Sequence, residues 1–163
     1  MKNKIAFAGA GMIGAGLAVN AMLHGYETAL YDVCDLQIVR DRIHQIMDIM
    51  IKAEAVTEEK AKEALNLATY TNDLREAVEG AVLVEECLPE RIDLKQSVYR
   101  QIQEITGKET LICSSTSGLF PTKLQEGALY PESILVAHPY NPSYLLPLIE
   151  LCGGEQTAPE RIG

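Results

Sequence analysis

A glycine-rich segment near the start of the chain has the spacing of a phosphate-binding turn. Gly9, Gly11 and Gly14 form the pattern G-x-G-x-x-G directly after an apolar segment typical of a buried strand. The first glycine permits a tight bend, the second lets a pyrophosphate approach the backbone, and the third lets helix and strand pack closely. Because unpaired amides at the start of the following helix favour negative charge, Met12 and Ile13 are further candidate cofactor contacts.

An acidic residue follows the second predicted strand. Asp32 lies 18 residues after Gly14 in the sequence. A carboxylate there can accept hydrogen bonds from the adenosine ribose and would repel a 2′-phosphate, so the pattern predicts NAD rather than NADP. Two alternatives stay open on these residues alone. The turn could serve packing while Asp32 caps the next segment, or the domain could bind S-adenosylmethionine as methyltransferases do.

A histidine and a glutamate near the C-terminal end are candidates for proton transfer. His138 follows the apolar segment 134–137, at the strand end where open parallel sheets place their ligands. Prolines between His138 and Glu150 disfavour a helix and predict a loop that turns the chain back, which would bring the two side chains together. Oxidation of a secondary alcohol needs a group that takes the hydroxyl proton, and an imidazole oriented by a carboxylate suits it. The alternative is a histidine in a polar loop and a glutamate on an edge strand.

Hydroxyl and charged residues follow two further predicted strands. The four hydroxyls of segment 114–117 suit a turn or a helix cap. The functional alternative is that one of them hydrogen-bonds the substrate oxygen. Glu90 and Lys95 follow another strand, and on their own they are interpreted as solvated surface charges.

Alternating strands and helices must position these residues. Such alternation, in units of roughly 20–30 residues, predicts an α/β fold with a parallel sheet covered on both faces by helices. Apolar runs predict strands over 5–8, 28–31, 69–71, 82–85, 110–114, 134–137 and 148–151. Helical patterns cover 12–24, 36–50 and 93–106, and another helix opens at Thr57.

The amino-acid composition narrows the classes of function that this chain could have. The 163 residues suit one domain, and 14 Lys+Arg against 23 Asp+Glu give a net charge of −9, which disfavours nucleic acid and anionic membranes as partners. The four cysteines have no C-x-x-C or metal-ligand spacing, so we predict reduced thiols and no metal. No segment has the pattern of a membrane span or a secretory signal, which predicts a cytoplasmic location.

The C-terminal segment predicts the start of one more helix. Thr157 and Glu160 have the spacing of a capping box, and Pro159 suits a first helical turn. Because the chain stops at Gly163, we expect residues 1–163 to form a nucleotide-binding domain that is incomplete at its C-terminal end.

Taken together, these motifs resemble the N-terminal NAD-binding domain of the L-3-hydroxyacyl-CoA dehydrogenase superfamily, from Lys4 to about Thr157. The resemblance rests on the glycine turn and on segments 85–90, 115–117 and 138–142, with Glu150 twelve residues after the histidine. It implies a Rossmann-type doubly wound, mostly parallel sheet with helices on both faces, and NAD as cofactor. It also disfavours the methyltransferase alternative.

The resemblance also implies individual roles. His138 corresponds to the catalytic base, Glu150 to its orienting partner and Ser117 to a contact of the substrate's reacting oxygen. Glu90 and Lys95 correspond to residues near the nicotinamide ribose and the substrate.

The implied reaction is NAD-dependent oxidation of a secondary 3-hydroxy group. The local sequences are most similar to the L-carnitine dehydrogenase branch and then to the gulonate 3-dehydrogenase and lambda-crystallin branch, whereas fatty acyl-CoA enzymes typically have asparagine in place of Ser115. L-carnitine or a related L-3-hydroxy acid is therefore the expected substrate. A 3-hydroxyacyl-CoA such as 3-hydroxybutyryl-CoA, or a non-catalytic NAD-binding protein, are the alternatives. Family members continue into a helical domain, which implies a full-length homodimer and little turnover by residues 1–163 alone.

Overall fold

A central sheet organises the computed structural model, which describes residues 3–146 and 148–162. Pro147, one of the prolines in the predicted loop, lies outside the described residues. The strands are β1 (Lys4–Ala8), β2 (Glu27–Tyr31), β3 (Ala68–Thr71), β4 (Ala81–Glu86), β5 (Leu111–Ser114), β6 (Ile134–Pro139) and β7 (Ile149–Gly153). Their order is β3-β2-β1-β4-β5-β6-β7. All neighbouring pairs are parallel except β6 and β7, which are antiparallel.

Helices cover both faces of this sheet. They are α1 (Met12–Leu23), α2 (Leu36–Lys52), α3 (Glu58–Leu65), α4 (Leu74–Val78), α5 (Ile92–Thr106) and α6 (Pro121–Leu124). Helices α1 to α3 pack on the face that carries Phe7 and Leu30, and helices α4 to α6 pack on the face that carries Val84 and Ile112. The predicted Rossmann-type, doubly wound fold is therefore confirmed. None of the helices in the described residues is long and apolar enough to cross a membrane.

Local chemistry explains where the principal helices begin and which face they bury. The helical pattern predicted over 36–50 places apolar residues on one face of α2, and this stripe is buried at Val39, Ile43 and Met50. Asp35 caps this helix by accepting a hydrogen bond from the Gln37 amide at 2.9 Å. Gly25, just after α1, has a φ of +85°, which glycine adopts at little cost and which lets the chain turn into β2.

The C-terminal capping prediction is wrong. The Thr157 hydroxyl donates to the Ile134 carbonyl at 2.6 Å and accepts from the Gly154 amide at 2.8 Å. It therefore ties its segment to β6 and does not cap a helix. A short 3₁₀ turn over Pro159–Arg161 begins instead after Ala158, which makes no side-chain cap.

The strand order reverses between β1 and β4, and this reversal opens a crevice at the carboxyl edge of the sheet. The chain leaves β1 for one side of the sheet and β4 for the other, so the loops that follow these two strands separate. Ligands of open α/β sheets bind at such a switch point. The glycine turn follows β1 and therefore lies at this crevice.

One buried carboxyl lies on the face of β4 that is covered by α1. Glu85 is 7% exposed, and within residues 3–146 and 148–162 its Oε1 atom has no hydrogen-bond partner. It lines an apolar groove of about 450 Å³ beside α1, together with Leu17 and Leu146. Burial, reinforced by the charge of Glu86 and partly offset by Lys95, raises the pKa of Glu85 well above its ordinary value of 4.5.

Replacing Glu85 by glutamine should therefore remove a pH-dependent loss of stability. The folded state holds the Glu85 proton more tightly than the unfolded state, so the folded wild type is most favoured below about pH 4.5 and loses that advantage as the pH rises through the elevated pKa. In that window the wild type should lose up to about 1.4 kcal/mol per pH unit relative to Glu85→Gln. Urea unfolding at pH 5, 6 and 7 measures the difference. Parallel pH profiles for the two proteins would contradict the assignment.

Candidate active site

The glycine turn is shaped by close backbone contacts at two of its three glycines. A Cβ atom at Gly14 would lie 2.0 Å from the Gly9 carbonyl oxygen, and one at Gly9, where φ is +100°, would lie 2.6 Å from the Cys87 carbonyl oxygen. Around a Cβ at Gly11, in contrast, there is no described atom within 4 Å. The protein's own packing therefore requires Gly9 and Gly14, whereas the space at Gly11 is open to a ligand. This is the cradle that a pyrophosphate needs.

Asp32 holds the centre of this turn from the end of β2. Its Oδ2 atom accepts a hydrogen bond from the Ala10 amide at 2.8 Å, and its Oδ1 atom accepts one from the Cys34 amide at 3.1 Å. Arg42 donates a hydrogen bond to the Ala10 carbonyl from the other side. Partial burial raises the pKa of Asp32, but these backbone hydrogen bonds outweigh it and hold the pKa below its ordinary value. The carboxylate is therefore charged at neutral pH.

The glycine turn and the Asp32 carboxylate face a cavity of about 480 Å³, which we call the dinucleotide crevice. Its lining includes Gly9, Gly11, Asp32, Leu88 and Pro89. The described residues that line it do not include Met12 or Ile13, which lie in the first turn of α1. Ribose hydroxyls would find the Asp32 acceptor here, and a diphosphate would find the amides of the turn. The residues present therefore fit a dinucleotide.

A second cavity, of about 380 Å³, contains the predicted proton-transfer residues and is called the His138 pocket below. Ser117, His138 and Glu150 all line it. His138 lies near the end of β6 and pairs in register with Glu150 near the start of β7. The predicted return of the chain thus brings the two side chains together, with 3.6 Å between His138 Nδ1 and Glu150 Oε2. This distance is longer than a hydrogen bond, so the carboxylate lies beside the imidazole without a direct hydrogen bond to it.

Tyr140 joins this pair and was missed by the sequence reasoning. Its ring lies 5.9 Å from the His138 ring, centroid to centroid, in an edge-to-face arrangement at 65°. Hydrogen bonding to Glu150, together with the charge of that carboxylate, raises the pKa of the Tyr140 phenol. The two-residue separation from His138 in an extended segment was the signal that could have found it.

The hydroxyl run after β5 separates into internal and exposed members. Ser114 donates to Glu86 Oε2 at 2.8 Å, and Thr116 donates to Glu90. Ser115 and Thr116 are buried, whereas Ser117 is exposed. Thr116 and Ser117 both line the His138 pocket, but the Thr116 hydroxyl is taken up by Glu90. The turn interpretation therefore applies to Ser114 and Thr116, and Ser117 is the exposed hydroxyl of the run at the pocket.

Glu90 connects the loops that border the two cavities. It follows Leu88 and Pro89 of the crevice lining and accepts hydrogen bonds from Thr116 and from the Gly118 amide in the His138 pocket. Burial raises the pKa of Glu90, and the Thr116 hydrogen bond and the Lys95 charge lower it by more. The side chain is 46% exposed and charged at neutral pH.

Lys95 lies beneath this surface. Its side chain has no exposed area, and its Nζ atom lies 2.6 Å from Glu86 Oε1, 3.2 Å from the Leu88 carbonyl and 3.4 Å from Glu90 Oε2. The expectation from the resemblance placed Lys95 near the nicotinamide ribose and the substrate. In the structure its ammonium group points at protein oxygens instead, and Glu90 lies between it and solvent.

Fold and site together define a Rossmann-type dinucleotide-binding domain. The glycine turn, the acid after β2 and the crevice at the reversal of strand order are its defining features. Comparison with known proteins then gives the family: residues 4–163 match the 3-hydroxyacyl-CoA dehydrogenase NAD-binding domain, and the chain belongs to that family, whose cofactor is NAD.

Two relatives and one solved structure represent the range of similar proteins. A bifunctional L-carnitine dehydrogenase/betainyl-CoA thioesterase of Ruegeria pomeroyi is 40% identical over 157 residues, which cover 96% of this chain and 32% of that protein. A lambda-crystallin homolog of Bos taurus is 35% identical over 97% of this chain and 50% of its own length. The crystal structure of 3-hydroxybutyryl-CoA dehydrogenase from Escherichia coli superposes with a TM-score of 0.92 at 29% identity, covering 99% of this chain and 34% of that one. The chain thus spans a third to a half of the relatives' length.

Alanine substitutions at Gly11 and at Gly14 should separate the role of the turn in packing from its role in cofactor binding. Gly14→Ala should lower the free energy of unfolding by about 2–3 kcal/mol, because its methyl group would overlap the Gly9 carbonyl. Gly11→Ala should leave stability within about 1 kcal/mol of wild type and yet weaken NADH binding by roughly tenfold or more, because its methyl group fills the space for the pyrophosphate. Urea unfolding and NADH fluorescence titration give the two readouts. Equal loss of stability in both variants would argue against this division.

Proposed function

We propose that this chain is the cofactor domain of an NAD-dependent dehydrogenase that oxidises a secondary 3-hydroxy group. The observation that carries the proposal is the shared pocket: the His138 imidazole, the Glu150 carboxylate and the exposed Ser117 hydroxyl line one cavity. Glu90 links the loop around that cavity to the loop of the dinucleotide crevice. NAD supplies the hydride acceptor when it is bound in the crevice.

The chain's own residues would handle the proton. His138 Nε2 would take the hydroxyl proton as the carbon–hydrogen bond breaks, and Glu150, 3.6 Å from Nδ1, would stabilise the resulting imidazolium. Ser117 would hydrogen-bond the reacting oxygen and hold it near His138. In the reverse direction the same imidazolium would return the proton to a ketone.

For the substrate we propose L-carnitine or a related L-3-hydroxy acid. The proposal is supported by the 40% identity to the Ruegeria carnitine dehydrogenase and by the local sequences around Ser115 and His138. A 3-hydroxyacyl-CoA is the second candidate, favoured by the TM-score of 0.92 to the Escherichia coli enzyme. We also propose a cytoplasmic homodimer for the full-length protein. The family resemblance supports the dimer, and the scattered cysteines support the location.

Replacing His138 by alanine should separate chemistry from cofactor binding. In the full-length protein, kcat should fall by about 10²–10⁴-fold because the proton acceptor is lost. NADH affinity should stay within about twofold, because His138 lines its own pocket and not the crevice. NADH absorbance with L-carnitine, gulonate and 3-hydroxybutyryl-CoA measures turnover and identifies the substrate. His44→Ala, at an exposed position of α2, is the matched control. Unchanged turnover in His138→Ala would refute the assignment.

Asp32 should determine the cofactor preference. Asp32→Ala should weaken NADH binding by roughly 10–100-fold, the size expected for hydrogen bonds to a charged acceptor, and should reduce the discrimination against NADPH. Asp35→Ala removes a nearby acid that caps α2 outside the crevice, and it should keep the preference for NADH. Isothermal calorimetry with both cofactors gives the comparison. Equal affinities of the wild type for NADH and NADPH would contradict the role of Asp32.

A further inference from the structure

The carboxylate of Glu86 is a buried group with a full set of hydrogen bonds, and it lies near the two cavities. It has no exposed area and accepts four side-chain or backbone hydrogen bonds. Oε1 accepts from Lys95 Nζ and from the Leu88 amide, both at 2.6 Å, and Oε2 accepts from Ser114 at 2.8 Å and from Tyr99. Four donors on one buried carboxylate leave it little freedom to move.

This carboxylate lies at the junction of three elements that border the cavities. Glu86 is the last residue of β4, Lys95 and Tyr99 belong to α5, and Ser114 is the last residue of β5. The Glu86 carbonyl also accepts a hydrogen bond from the Ser115 amide at 2.9 Å. The backbone and the side chain of Glu86 therefore fix the start of the loop before α5 and the start of the loop that carries Ser117.

Lys95 transmits this constraint to Glu90. The ammonium group is shared between Glu86 at 2.6 Å and Glu90 at 3.4 Å, so the inner carboxylate takes the shorter contact. The other oxygen of Glu90 is then free to accept from Thr116 and Gly118. If Glu86 lost its charge, the buried ammonium would have Glu90 as its remaining carboxylate partner among the described residues and would draw it inward.

We propose that Glu86 is a positioning residue for the nicotinamide half of the cofactor, acting through Lys95 to hold Glu90 between the dinucleotide crevice and the His138 pocket. The inference rests on the proposed function, because it assumes that the nicotinamide end reaches the edge where Glu90 lies. The Asp32 carboxylate accepts its hydrogen bonds from Ala10 and Cys34, and the glycine turn meets this segment through the backbone of Cys87 and Leu88, which a change of the Glu86 side chain leaves in place. The two halves of the cofactor should therefore respond differently to a change at Glu86.

Binding of NADH and of ADP by Glu86→Gln tests the inference on the full chain. ADP keeps the adenosine and the diphosphate but lacks the nicotinamide riboside. We expect NADH affinity to fall by about tenfold and ADP affinity to change by less than about twofold, as expected when a hydrogen-bonded contact is lost at one end only. Glu85→Gln is the matched control: it removes the adjacent buried carboxyl, which points to the opposite face, and it should change neither affinity.

A double-mutant cycle separates positioning from general stability. Glu90→Gln should show the same selective loss of NADH affinity, and Glu86→Gln combined with Glu90→Gln should be no weaker than Glu90→Gln alone, because the first residue acts through the second. Additive losses would overturn the inference, as would equal losses of NADH and ADP affinity in Glu86→Gln.

Two further outcomes keep the test decisive. If Glu86→Gln does not fold, Tyr99→Phe removes one of the four donors, and a smaller loss confined to NADH supports the inference while an unchanged NADH-to-ADP ratio overturns it. If the wild type binds ADP but not NADH, the proposed function itself fails. That result differs from one in which the wild type binds NADH and the variants lose both ligands equally.

Discussion

The buried ion pair between Glu86 and Lys95 constrains the edge of the sheet on which both cavities depend. Neither side chain has any exposed area, and their charged atoms lie 2.6 Å apart. Removing one partner of such a pair typically costs about 3–5 kcal/mol, because the other charge stays buried and unpaired. The pair lies under the loop that lines the dinucleotide crevice and beside the loop that lines the His138 pocket. The shape of the two cavities therefore depends on one interaction that neither cavity exposes.

The antiparallel step between β6 and β7 is the second constraint on the site. In a parallel pair, a residue at the start of β7 would lie beside the start of β6, at the far edge of the sheet. The chain instead turns back directly after β6, so β7 begins at the carboxyl edge. Glu150, second in β7, therefore lies opposite His138 near the end of β6. A mostly parallel sheet thus gains its histidine–carboxylate pair from its antiparallel edge.

The sequence predicted those features that depend on local chemistry. The glycine turn, the strands and the buried stripe of α2 follow from spacing and periodicity, and the structure has them. The pairing of His138 with Glu150 followed from prolines that disfavour a helix between them. The short helices α4 and α6 were not predicted, because five and four residues are too few to show a helical period.

Features that depend on long-range packing were missed or misread. Thr157 has the pattern of a helix cap, but its hydroxyl bonds the Ile134 carbonyl of β6, 23 residues away. Lys95 is a residue type that usually lies at the surface, and only the fold shows that its side chain points inward. For Glu86, the adjacent pair of glutamates at the end of a strand was a usable signal. Successive strand residues face opposite sides of a sheet, so at least one of the two had to be buried beneath a helix.

The site would allow an acidic protein to hold an anionic cofactor, because its charges act locally. The net charge is −9, and both Asp32 and Glu90 remain ionised because hydrogen bonds lower their pKa values despite partial burial. Charged acceptors suit ribose hydroxyls and repel an added phosphate, whereas a diphosphate would find backbone amides at the open position of Gly11. The local carboxylate of Asp32, and not the net acidity, would therefore favour NAD over NADP. Selectivity arises from where donors and acceptors lie along the crevice, and the overall charge of the protein does not determine it.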